Sequence, residues 1–210
     1  NSEEMVVLDI SSRPVSSFYR LVSSTAREKT PADITLSRPL VIARQSAAQL
    51  PPHWCALDMV DVVVWDAADP ATMTDAARQL PALIEWVRRG GTLVLGVGRT
   101  WQNVQKSGLA TLLPGELSSS QTTDRLPELA EYLVKGTDLK NSITICPVNR
   151  QTLRAGVRTF YQRENDPQAR ILLCRQTVGR GQVVYVGAEL RDLYELGGKR
   201  DDLTMRLLGL

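Results

Sequence analysis

Residues 60–99 read VDVVVWDAADPATMTDAARQLPALIEWVRRGGTLVLGVGR, and this stretch decides the fold. Val62, Val63, Val64 and Trp65 form a short apolar, β-branched run, and Thr92 to Val97 form a second. Runs of that kind suit strands buried on both faces of a parallel sheet. Between them Ala76, Leu80, Leu83, Ile84 and Val87 recur at helical spacing, and Arg88, Arg89 and Gly90-Gly91 supply the cationic and glycine signals of a helix end. A strand, a helix and a strand at this length make a βαβ crossover. The class is therefore α/β, with a mostly parallel sheet.

Working outward, Met5 to Ile10 reads as a strand, and Ser11-Ser12-Arg13-Pro14 opens a helix whose apolar face carries Phe18, Leu21 and Val22. Ile34 to Leu36 and Leu40 to Ala43 form an extended segment. A short helix and Pro51-Pro52 occupy the irregular run from Gln45 to Asp58. Trp101 to Leu113 reads as helical turns, Ser118 to Thr123 as a polar, mobile stretch, Leu126 to Val134 as a short helix, and Ile143 to Cys146 as a strand. The last third changes character. Val157 to Gln162, Ile171 to Thr177 and Gln182 to Val186 are β-rich runs joined by the turn compositions Glu164 to Pro167 and Gly179-Arg180-Gly181, which predicts antiparallel strands added to the sheet. Asp201 to Leu208 reads as a closing helix.

Composition excludes several functions. With 210 residues, 43% of them hydrophobic and 23% charged, the chain is an ordinary globular sequence that one core can serve, so residues 1–210 are expected to be a single domain. A net charge of +2, with the arginines scattered, gives no basic patch for nucleic acid. No run of about 18 apolar residues offers a direct membrane span. The chain opens on Asn1-Ser2-Glu3-Glu4 and ends at Leu210 inside an apolar helical pattern, which leads us to expect a domain excised from a longer protein. Cys55, Cys146 and Cys174 form neither a disulfide framework nor a paired ligand motif, and one histidine, His53, leaves no Cys/His metal site. His53 and Cys55 lie two apart, but no third orienting group accompanies them. Trp54 and Cys55 are expected to pack near the core with His53 exposed.

Three features together resemble the class I glutamine amidotransferase-like superfamily: the aspartate-led strand Asp61 to Trp65, the helix ending Trp86 to Gly91 before Thr92 to Leu95, and the late run Gly179 to Val186. The resemblance covers most of the chain from Met5 onward. It implies a flavodoxin-like three-layer sandwich, and more narrowly it is similar to domains of large bacterial membrane-anchored proteins, on either the cytoplasmic or the periplasmic face. Catalytic members place a nucleophilic cysteine in a Gly-x-Cys-x-Gly turn after a strand. Here Gly96-Val97-Gly98-Arg99-Thr100 matches, and Gly98 stands where the cysteine would. A His-Pro-Glu signature would fall on Gly187-Ala188-Glu189, where only the glutamate remains. Covalent acyl transfer needs both a nucleophile and a base, so the resemblance implies a degenerate, non-catalytic member.

Parallel α/β sheets bind ligands beyond the carboxyl ends of their strands. The candidates there are Ser11, Ser12 and Arg13 after the first strand, Asp66 and Asp69 after the third, Gly98, Arg99, Thr100 and Trp101 after the fourth, and Glu189, Arg191 and Asp192 late in the chain. Of these, Ser12, Arg13, Asp66, Arg99, Thr100, Trp101 and Glu189 are the ligand-binding candidates. The ordinary alternative is a helix cap at Asp69 and an ion pair from Arg99 to Asp66 or Glu189. No cofactor is expected, since Gly96-Val97-Gly98 lacks the remainder of a dinucleotide fingerprint, and two carboxylates in a turn do not make a metal site. The expected function is a binding or interaction module for an unknown protein partner or for other domains of the parent chain. The alternatives are a hydrolase or amidotransferase whose nucleophile has moved to Ser11, Ser12 or Thr100, and a small-ligand sensor using Arg13 and Arg99.

Overall fold

The computed structural model describes residues 4–12, 40–128, 138–160 and 170–195. The expected helix after Ser12, the segment Ile34 to Leu36, the turn at Glu164 to Pro167 and the closing helix at Asp201 to Leu208 lie outside these residues. So does most of the helix expected from Leu126 to Val134.

Strand β1 (Met5–Ser11), β2 (Leu40–Arg44), β3 (Val62–Asp66) and β4 (Thr92–Gly96) run parallel, as does β9 (Gly181–Val186) beside β4. The antiparallel strands β8 (Leu173–Val178) and β7 (Arg158–Thr159) complete a seven-stranded sheet in the order β2-β1-β3-β4-β9-β8-β7. This is the flavodoxin-like, mostly parallel sandwich with antiparallel strands from the C-terminal third. The hairpin at Gly179-Arg180 forms as expected, but its second strand also pairs parallel with β4, joining the two parts of the sheet.

Alternation along the central strands sends residues to two cores. Val63, Trp65, Leu93, Leu95, Val183 and Tyr185 face one layer, and Val62, Val64, Val94, Val184 and Val186 the other. Helix α1 (Ala76–Arg89) covers the first face with Leu80, Leu83, Trp86 and Val87. Fully burying one such side chain is worth about 1.5–3 kcal/mol, so these strands hold their register through both layers. Gln79, buried on α1, donates to the carbonyls of Ala48 at 3.1 Å and Leu50 at 2.6 Å and fastens the irregular 45–58 segment to the helix. In that segment the short 3-10 turns Ala47–Gln49 and Trp54–Leu57 stand in place of a regular helix. The turns expected after Thr100 are α2 (Trp101–Lys106) and a 3-10 run, Gly108–Leu112.

Two expectations need correction. The polar stretch ending at Thr123 leads into a strand, β5 (Gln121–Arg125), paired antiparallel with β6 (Asp138–Ile145) in a separate two-stranded sheet. Its mostly exposed side chains gave no apolar alternation, and backbone pairing with β6 holds it. Cys55 is exposed rather than packed near the core, because its 3-10 turn directs only Leu57 fully inward while Trp54 is partly buried. His53 is exposed, as expected.

Candidate functional site

Four strand ends build the site. The backbone N–H of Ser12 donates to the Asp66 carbonyl at 3.1 Å, that of Ala67 to Gly96 at 3.3 Å, and that of Val97 to Val186 at 2.9 Å. These bonds tie the segments after β1, β3, β4 and β9 into one edge. After β9 the chain passes through Gly187 to Glu189 into helix α3 (Leu190–Glu195). A cleft of about 460 Å³ opens there, lined by Ser12, Asp66, Ala67, Arg99, Thr100 and Glu189 together with Arg191 and Asp192 of α3.

Seven of the sequence candidates, Ser12, Asp66, Arg99, Thr100, Glu189, Arg191 and Asp192, therefore share one cavity. Trp101 does not line it: the first residue of α2 packs against the core instead. Arg13 lies outside the described residues. Asp69 caps a turn, accepting the Ala71 N–H at 2.9 Å and the Asn103 side-chain amide at 3.0 Å. At Gly187 the neighbouring backbone leaves no room for a histidine, since an added Cβ would lie 2.5 Å from the Cys146 carbonyl oxygen.

Asp66 is the buried centre of the cleft, 2% exposed. Its Oδ1 accepts the N–H of Leu190 at 2.7 Å, a contact across 124 residues of sequence that anchors the start of α3 to β3. The carboxyl occupies the space beside Gly96, where an added Cβ would overlap Oδ1. Burial pushes Asp66 up to about 7, and the nearby charges of Glu189 and Asp9 add to the rise against the backbone N–H groups of Leu190 and Arg191. No cation among the described residues pairs with it.

The second carboxylate stands over the other glycine. At Gly98 an added Cβ would come within 2.8 Å of Glu189 Cγ and 3.2 Å of its backbone nitrogen. Gly98 is not among the residues with positive φ, so this turn is not the strained elbow that would present a nucleophile. Among the described residues the left-handed non-glycine position is Ala67, at φ 50°, one strand away. Arg99 Nε lies 3.9 Å from Glu189 and one of its terminal nitrogens 3.9 Å from Asp192. With its side chain 66% exposed, such pairing is worth at most about 1 kcal/mol. Arg99 thus pairs with Glu189, one of the two expected partners, and with Asp192, which sequence reasoning did not offer. The Thr100 hydroxyl is buried and has no hydrogen-bond partner among the described residues.

Two site features had no local sequence signal: the Asp66 to Leu190 bond and the left-handed Ala67. A second cavity, about 490 Å³, lies on the other side of Ser12 and Ala67 and includes Ser11, Arg44, Gln45 and Gln49. Neither His53 nor Cys55 lines either cavity. Among the described residues no cluster of His, Cys, Asp and Glu could hold a metal ion, and no helix is long and apolar enough to cross a membrane.

No protein-family model matches the sequence, and no curated protein is significantly similar to it. The fold is shared more widely. The cytoplasmic protein STM3548 from Salmonella typhimurium is 12% identical with a TM-score of 0.56, over 91% of this chain and 96% of that one. A ThuA-like protein from Bacteroides uniformis is 12% identical at 0.54, over 99% and 91%. The exo-β-1,4-mannosidase Op5Man5 from an Opitutaceae bacterium is 16% identical at 0.52, over 98% of this chain but 34% of that one. At these identities the likeness is one of fold.

Proposed function

We propose that this chain is a ligand-binding domain on an amidotransferase-like fold, without acyl-transfer chemistry, serving as a module of a larger protein. The observation that carries the reading is the packing of Glu189 on Gly98: the place for a nucleophile is filled from outside by a carboxylate, and its backbone is unstrained. Thr100 and Ser12 bring hydroxyls to the cleft, but among the described residues no hydrogen bond joins either hydroxyl to the carboxyl of Asp66 or Glu189, and the single histidine is elsewhere. A serine or threonine nucleophile would need that base contact. A cavity of about 460 Å³ with convergent polar groups at the strand ends is the size and place of a small-molecule site. The mannosidase supports the modular part, because there the matched fold is a third of a longer chain.

The test has two arms. Purified protein should hydrolyse neither glutamine nor simple amides, and amidase activity abolished by Ser12→Ala or Thr100→Ala would defeat the reading. A thermal-shift screen of small polar metabolites should find stabilising ligands whose effect disappears in Ser12→Trp, which fills the cleft from an exposed position.

A further inference from the structure

The second cavity, about 490 Å³, opens where the connections of the sheet part. From β1 the chain crosses to β2 on one side, and from β3 it crosses to β4 on the other, so the carboxyl ends of β1 and β3 flank the topological switch point. In open α/β sheets that crevice is where ligands bind. Ser11 and Ser12 line the cavity from the end of β1, Ala67 to Asp69 from the end of β3, and Arg44 and Gln45 from the end of β2. The N–H of Ser12 on the Asp66 carbonyl and that of Gln45 on the Asp9 carbonyl, both at 3.1 Å, tie the three strand ends together. Ala67 is the left-handed position, and residues held in such conformations gather at ligand sites.

The polar side chains of the wall divide into engaged and unengaged. Asp69 takes the Ala71 N–H at 2.9 Å on one carboxylate oxygen and the Asn103 amide at 3.0 Å on the other. Ser11 donates to Asp9, which is fully buried and does not line the cavity. Gln49 accepts the N–H and the hydroxyl of Ser46 at 2.9 and 3.0 Å, and Thr72 donates to the Asp69 carbonyl at 2.7 Å. The exposed Ser12 hydroxyl aside, two groups are left. Arg44 is exposed and, among the described residues, its side chain makes neither an ion pair nor a hydrogen bond. Gln45 is half-buried, and its Oε1 is enclosed without a hydrogen-bond partner. An enclosed acceptor of that kind is rare and calls for a donor from outside the chain.

We propose that this cavity binds a small hydroxycarboxylate, its carboxylate on the guanidinium of Arg44 and a hydroxyl donating to Oε1 of Gln45. The inference goes beyond the proposed function, which concerns the cleft of Asp66 and Glu189, and stands independently of it. Charge sets the sign. Of the two ionic side chains at this wall, Asp69 already holds a donor on each oxygen and Arg44 holds no acceptor, so the vacant partner is an anion. One guanidinium matches a single negative charge, and its planar fork pairs with both oxygens of a carboxylate. The orphaned Gln45 acceptor needs a donor that a plain carboxylate lacks. A hydroxyl supplies it without the positive charge of an ammonium, for which the wall keeps no unengaged carboxylate. A cavity of about 490 Å³ has room for a molecule of this kind.

The experiment measures binding of gluconate, hexanoate and sorbitol to the full chain by calorimetry at fixed pH and ionic strength. Gluconate carries both groups, hexanoate only the anion, and sorbitol only the hydroxyls. Gluconate should bind at one site, at least about tenfold more tightly than either comparison compound, since a hydrogen bond to a charged group is worth that much. Arg44→Gln should weaken gluconate about tenfold or more and leave sorbitol unchanged. Gln45→Leu should bring gluconate to the affinity of hexanoate, and Arg99→Gln, in the first cleft, should leave gluconate binding as it is. Neither Arg44 nor the Gln45 acceptor is hydrogen-bonded within the described structure, so both variants should unfold at the native Tm. Hexanoate or sorbitol binding as tightly as gluconate would overturn the inference, as would no binding of gluconate or gluconate binding untouched by Arg44→Gln. Gluconate binding lost in Arg99→Gln but kept in Arg44→Gln would put the carboxylate in the first cleft, which removes this inference and leaves the proposed function standing.

Discussion

Gly98→Ala measures whether the site is closed to a nucleophile. The added methyl would stand 2.8 Å from Glu189 Cγ, 3.2 Å from the Glu189 nitrogen and 3.4 Å from Oε1. The first distance is too short to persist, and the second involves backbone that leads directly into α3. Overpacking of this kind costs about 1–3 kcal/mol. The smaller entropy of the unfolded alanine chain returns about 0.4–1 kcal/mol where φ is compatible, as it is here. A net loss of about 1–2 kcal/mol follows, a fall of roughly 2–8 °C in Tm for a domain of this size. The decisive measurement is a double-mutant cycle by denaturant unfolding with Glu189→Ala, which removes Cγ but keeps the chain path. In that background Gly98→Ala should cost about 1 kcal/mol less than in the native protein, since contacting residues couple at this scale. Equal costs in both backgrounds, or a neutral substitution in the native one, would refute the reasoning. It would mean that the turn has room for a side chain after all.

Asp66 makes a second prediction, with its sign set by linkage. Its folded value, about 7, is above the unfolded carboxylate value, so between about pH 4 and 7 the native protein holds a proton that the unfolded chain has released. The stability contributed by this group is complete below the unfolded value and is lost as pH rises through 7, with a slope of up to about 1.4 kcal/mol per unit. Denaturant midpoints across this range should lose that component in Asp66→Asn, and an unchanged profile would show that the carboxyl is ionised when folded. Cysteine labelling supplies a third: under native conditions Cys55 should react promptly with an aromatic disulfide reagent. Cys146 and Cys174, buried and pushed up to about 11 and 12, should react only on unfolding. Three fast thiols would contradict the described core.

The βαβ unit was legible because its signals are local. Val62 to Trp65 and Thr92 to Leu95 are apolar on both faces, and α1 ends at its cationic residues and Gly90. Strand β5 was not, because Gln121 to Arg125 buries almost nothing and is defined by its partner β6. Cys55 was misplaced for a related reason. Its neighbours Trp54 and Leu57 do turn toward the core, but a 3-10 turn directs successive residues differently from a strand, and the side chain of Cys55 emerges at the surface. The candidate site was readable as a set of strand ends, since the fold dictates where those ends gather. Its internal bonds were not readable, because Asp66 and Leu190 are 124 residues apart and nothing near either announces the other.

The Gly96-Val97-Gly98 pattern joins these two kinds of information. As sequence it signals only close approach after a strand, which a phosphate, a neighbouring backbone or a buried side chain could equally require. The structure supplies a separate carboxyl for each glycine, Asp66 against Gly96 and Glu189 against Gly98. A side chain at either glycine would displace one of the two acids, so each glycine leaves the room that its carboxyl fills. Asp66 then anchors α3 through Leu190, while Glu189 engages Arg99. The same two glycines are therefore what give both carboxyls their places at the cleft.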